Sequence, residues 1–131
     1  MVAESAVMLG GLFNLAFALF HMLFWKVFRW KRTLAGLNRI NRAVMQILNL
    51  CLTFVFLIFA YLLIVHSGEL LLTSLGRSLL MLISVFWFLR AVEQVVFFGL
   101  RSKLSVAFLL AFLSGALVHL YPLVFATVEG I

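Results

Sequence analysis

Arg90 and Glu93, with Gln94 beside them, form the densest chemistry in an otherwise apolar sequence. At i and i+3 on a helix the guanidinium and the carboxylate can pair directly, and Trp87 shares a face with Arg90 and Gln94. Asn14 and His21 lie in the first apolar stretch of the chain, Gln46, Asn49 and Thr53 in the second, and the Arg90 group in the third. Amides and ions are costly in hydrocarbon unless they face protein or water, so these residues are the default candidates for a site. Two kinds of chemistry suit them. Arg90 and the amides can hold the polar head of a ligand, or His21, Arg90 and Glu93 can act as acid–base or cofactor-orienting groups.

Other chemistries find no support in the spacing. The sequence contains no C-x-x-C, H-x-x-x-H or H-E-x-x-H, so no metal set is offered. The serines have no histidine and carboxylate in a recognised nucleophile order. A haem held by two histidines needs them at similar depth. His21 falls toward one side, whereas His66 and His119 fall toward the other, and His66 reads better as the end of a helix. No cofactor is predicted; haem and quinone are the groups such a site would take if it took one.

The elements that must position these residues are four apolar stretches, which use up nearly all of the 131 residues. The chain is 66% hydrophobic and 11% charged, against about 45–50% apolar in soluble domains. The reading is a single all-α integral membrane domain over 1–131, with spans near 6–28, 40–66, 75–100 and 104–126. The first stretch carries Glu4 at its start and runs into Lys26 without a small-residue cleavage site, so it reads as a retained helix. In the third, Arg77 and Arg101 bracket the span and Ser67-Gly68-Glu69 supplies the preceding turn; the alternative register, 70–89, would bury Arg77 instead. Cys51 has no partner for a disulfide within the chain and reads as a packing residue.

Lys26, Arg29, Lys31, Arg32, Arg39 and Arg42 crowd the first loop without an acid, while Glu4, Glu69 and Glu129 mark the other side. The positive-inside rule then places the basic loop 29–42 in the cytoplasm and both termini outside, in a cytoplasmic or plasma membrane. Trp25 and Trp30 flank that loop as interfacial aromatics. Short connections predict an antiparallel up-down four-helix bundle. The net charge of +6 lies beside two spans, so it points to anionic headgroups and not to nucleic acid.

Helical periodicity assigns the faces. Asn38, Arg42, Gln46, Asn49, Thr53 and Ala60 form one stripe on the second helix, readable as glue between helices. The first helix pairs a small-and-polar face (Gly11, Asn14, Ala18, His21, Trp25) with a ridge of Phe13, Phe17, Phe20, Phe24 and Phe28. The polar face is expected to look inward and the ridge to serve packing, lipid or subunit contact. On the fourth helix Ala107, Ala111, Gly115 and His119 form a small-residue ladder for close helix contact, and Pro122 is expected to end or bend the helix.

Counting depth from Lys26, Arg42 and Arg101 puts His21 and Gln46 roughly 6–7 Å into the bilayer, and Asn49, Glu93 and Gln94 about 10–12 Å. Arg90 and Asn14 follow at roughly 16–18 Å. The expectation is a polar cavity in the cytoplasmic half lined by Asn14, His21, Gln46, Asn49, Arg90, Glu93 and Gln94. The corresponding function is a small non-enzymatic membrane component binding a lipid, quinone or similar amphiphile. It would work as an accessory subunit or a homo-oligomer, with membrane lipids and other membrane subunits as partners. The alternative is an intramembrane enzyme or a quinone- or haem-linked redox protein using His21, Arg90 and Glu93.

Overall fold

A computed structural model describes residues 2–128. The helices are α1 (Val2–Met22), α2 (Phe24–Val27), α3 (Trp30–Thr33), α4 (Arg39–Val65), α5 (Ser67–Leu72), α6 (Ser74–Phe98) and α7 (Lys103–Val128), with a 3₁₀ turn at Leu34–Gly36. Four of them, α1, α4, α6 and α7, are long and apolar enough to cross a membrane. Glu129, which the sequence places with the outer acids, lies outside the described residues.

The expected first span of 6–28 does not run through. It stops at Met22, makes one further turn as α2, and reverses at Arg29, whose φ of 51° is left-handed. The chain regains a helix at Asn38, whose extended backbone lets the side-chain oxygen accept the Asn41 N–H at 2.8 Å. Arg42 folds back over the loop, donating to the carbonyls of Leu34 (3.0 Å), Ala35 (3.2 Å) and Leu37 (3.1 Å). One of the six loop cations is thus spent on orphan carbonyls. Trp30 is buried beneath this loop and packs edge-on to Phe24 and Trp25. Only Trp25 of that pair is exposed.

The turn expected at Ser67-Gly68-Glu69 is the start of the short helix α5, which ends where Thr73 caps α6 by accepting the Gly76 N–H at 3.0 Å. Gly76 is obligatory there, because a Cβ would fall on the backbone of Leu70. Ser67 donates to Glu4 at 3.0 Å, tying the beginning of α1 to the beginning of α5. Of the two outcomes expected at Pro122, α7 does not end there; the proline is buried and the helix continues to Val128.

Helix α1 is the hub, packed on α4 along one flank and on α7 along another, while α6 packs on α7. At Gly11 a Cβ would stand 3.3 Å from the Ala60 carbonyl, so the missing side chain sets the α1–α4 spacing. Between α4 and α6 the contact is made by rings: Phe56 stacks on Trp87 at 5.2 Å and Phe86 meets both Phe56 and Phe59. Because α1 has two occupied flanks, both of its faces turn inward. Gly11, Asn14 and Ala18 are buried against one side, and Phe13, Phe17, Phe20 and Phe24 are half-buried on the other. From Phe13 to Phe24 the aromatic ridge therefore takes part in this chain's own packing, while Phe28 is exposed. Of the α7 ladder, Gly115 and His119 are buried, whereas Ala107 is exposed.

Candidate functional site: an aromatic cavity with a polar rim

The four long helices do not close completely. A cavity of about 310 Å³ remains between them, at the level where α1 turns toward the basic loop and α6 turns into α7. Its walls are aromatic. Trp87, fully buried, lies between Phe56 (5.2 Å, rings 10° apart) and Phe112 (5.9 Å, 22°), and Phe108 extends the stack from Phe112 at 6.0 Å. Phe17 closes on Trp87 at 4.7 Å, and Phe20 faces Phe108 at 5.7 Å. The polar lining consists of His21, Arg90, Gln94, Ser102 and Ser105.

Two bonds lock His21. The Asn49 amide nitrogen donates to the His21 backbone carbonyl at 3.1 Å, and the Asn49 oxygen faces His21 Nδ1 at 2.9 Å. A carbonyl can only accept, so the first bond fixes which end of the amide is nitrogen. The amide oxygen must then receive a proton from Nδ1. In the neutral ring the lone pair is left on Nε2. Phe24 stacks on the imidazole at 4.1 Å and Phe56 meets it edge-on at 5.2 Å, so the ring's plane is held as well as its tautomer.

Arg90 crosses the cavity with its Cζ 4.5 Å above the Phe112 ring, a cation–π contact. Its ion pair with Glu93 is long, 3.6 Å from Nη1 to Oε2, and Glu93 is 55% exposed. Gln94 is buried and donates to Ser105 Oγ at 2.9 Å; that hydroxyl donates to the Gly99 carbonyl at 2.6 Å. Ser102 Oγ accepts the Ser105 N–H at 3.0 Å. This network fixes the α6–α7 turn, where Gly99 adopts φ of 66°.

Of the seven residues expected at the site, His21, Arg90 and Gln94 line the cavity and Asn49 stands directly behind His21. Glu93 lies on the outer flank of Arg90, and Gln46, half-buried, does not line the cavity. Asn14 belongs to a separate cluster. Its amide nitrogen donates to the Gly10 carbonyl at 2.8 Å and lies 2.9 Å from His119 Nε2, while His119 Nδ1 donates to the Gly115 carbonyl at 2.6 Å. Both side chains are buried, and the clasp joins α1 to α7 away from the cavity lining.

Sequence reasoning missed the walls. Phe108 and Phe112, four apart on α7, complement the α1 ridge, and that spacing was the available signal. It also missed the Trp87 indole N–H, which is buried with no acceptor although Trp87 lines the cavity. Among the described residues no three histidine, cysteine or acidic side chains cluster as a metal site would require. No family model, curated protein or solved structure matches the chain.

Proposed function

We propose that this chain is an integral membrane protein whose aromatic cavity binds an amphiphile by its polar head, without chemistry on it. The observation that carries the reading is the composition of the cavity. Rings form most of its surface, and a guanidinium and a locked imidazole converge on its polar side. A concave apolar pocket with a few fixed polar groups is the general form of a small-molecule site. A lipid, quinone or similar amphiphile matches it, with its polar end near His21 and Arg90 and its apolar body on the phenylalanines.

The membrane setting is supported by the outer surface, where Leu48, Leu50, Phe54 and Phe97 are each more than 60% exposed (62%, 68%, 63% and 78%). Water would not tolerate such a face over four helices. The contacts of Glu4 with Ser67, just beyond the C-terminus of α4, and of His21 with Asn49, in the first half of α4, run the two helices in opposite directions, which supports an antiparallel up-down arrangement. With the basic loop in the cytoplasm and the termini outside, the cavity lies in the inner half of the bilayer. A unit this small acts best as an accessory subunit or homo-oligomer, with membrane lipids and other membrane subunits as partners.

The acid–base alternative pairs His21 with Glu93, and Glu93 is not part of the lining, so binding is the reading the geometry favours. Native mass spectrometry of the protein released from mild detergent tests it. The expected result is a retained amphiphile that is lost on Arg90→Ala or Phe112→Ala. A bare protein, or retention indifferent to both substitutions, overturns the proposal.

A further inference from the structure

The cavity's hydrogen-bonding requirements are more specific than amphiphile binding needs. Resting on that reading, we infer that the ligand carries a ring hydroxyl together with an acceptor oxygen, the chemistry of a hydroquinone or substituted phenol. Three observations converge on this class.

The first is the His21 lone pair. Asn49 holds the Nδ1 proton, so the neutral ring presents an acceptor at Nε2, and among the described residues no side chain hydrogen-bonds that nitrogen. A phosphodiester, a carboxylate or a quinone carbonyl would set lone pair against lone pair there. A hydroxyl donates to it. The second is Arg90, which also lines the cavity and carries donors only, so a ligand oxygen placed beside it is met by N–H groups. An oxygen that accepts from the guanidinium makes a charge-assisted hydrogen bond, stronger than a neutral one. The ligand must therefore both donate and accept.

The third is shape. At about 310 Å³ the cavity is at the small end of ligand sites, which span roughly 300–1,000 Å³. Its stacked walls, Phe56 on Trp87 on Phe112, suit a flat ring better than two flexible chains. A shallow groove of about 240 Å³ between α1 and α7 shares Phe17, Phe20 and Phe108 with the cavity wall. A tail on the ring has its path out toward the bilayer there.

The test is a titration of the full-length protein in mild detergent, without oxygen, with four probes: trimethylhydroquinone, trimethylbenzoquinone, trimethylphenol and its methyl ether. The two hydroxyl compounds should bind about tenfold more tightly than the quinone and the ether, as one neutral hydrogen bond allows. His21→Phe should abolish that preference while leaving weak binding of all four. Arg90→Ala should weaken the hydroquinone and the quinone alike. His21→Gln, which restores an acceptor, should recover part of the preference and guards against a folding defect in His21→Phe. Equal binding of all four probes, or a preference that survives His21→Phe, overturns the ring-hydroxyl assignment. If a fluorescent acyl lipid occupies the cavity and hydroquinone does not displace it, the assignment fails while the amphiphile reading stands. If neither the probes nor the lipid bind, both fall.

Discussion

Asn49 grips His21 at both ends, donating to its backbone carbonyl at 3.1 Å and accepting from its ring at 2.9 Å. One amide therefore fixes the helix that carries the imidazole and the proton on the imidazole itself. The same residue serves packing and site geometry, so its replacement should show in both. Asn49→Leu is expected to lower stability by about 1–2 kcal/mol, the scale of interhelical hydrogen bonds in membranes. It should also weaken ligand retention by freeing the ring. Asn49→Asp, which still accepts from Nδ1, should lose stability but keep more of the retention. Unfolding in graded detergent denaturant, beside native mass spectrometry, separates the two effects.

Gly115 marks where α7 comes closest to the aromatic centre. A Cβ there would stand 2.7 Å from a Phe13 ring carbon and 3.0 Å from Trp87, rings held by Phe17, Phe56 and Phe112 and unable to yield. Gly115→Ala should cost about 1–3 kcal/mol, the usual price of overpacking a core. Gly36→Ala, with nothing within 4 Å of its Cβ, should change stability by less than about 0.5 kcal/mol. Thermal unfolding of the two variants side by side checks the contrast. Equal effects would mean that the α7–aromatic contact is not as close as described.

The Asn14–His119 clasp should behave as one unit. Each side chain is buried, and removing either leaves the other with a polar atom in an apolar interior. Asn14→Leu and His119→Leu should each destabilise, and the double variant should be less unstable than their sum by about 1 kcal/mol. Ligand retention should follow stability only, because neither residue lines the cavity. A selective loss of ligand at unchanged stability would move the site toward this cluster.

How far these residues were readable before the fold was known differs by level. The long helices were legible because apolar runs of spanning length are bracketed by charges: 40–66, 75–100 and 104–126 became Arg39–Val65, Ser74–Phe98 and Lys103–Val128. The break at Arg29 was not, since no glycine or proline announces a reversal among bulky residues. Periodicity separated the two faces of α1 correctly but could not say that both were covered. That depends on α7 lying beside α1, a relation no single-helix pattern encodes. The same gap separates Asn14 from His21. Seven residues apart on one face, they meet different neighbours, one reaching α7 and the other α4. The Arg90–Glu93 pair was legible from its spacing, whereas Glu93's outward position was not.

Orientation yields the last prediction, because the two connections flanking α4 carry opposite charge signs and each offers a glycine that accepts a side chain. Gly36 has open space at its Cβ, and Gly68 meets only Glu4 at 3.7 Å, an ordinary contact. Cys51, the sole cysteine, is exposed on α4 and is first replaced by serine. In intact cells a membrane-impermeant maleimide should then label Gly68→Cys and leave Gly36→Cys untouched until the cells are lysed. Five cations of the basic loop other than Arg42, which is engaged with loop carbonyls, remain to hold that orientation. Neutralising Arg29, Lys31 and Arg32 together should therefore produce a mixed population in which Gly36→Cys becomes partly labelled. Labelling of Gly36→Cys in intact cells before any charge is removed would reverse the topology and move the cavity to the outer leaflet.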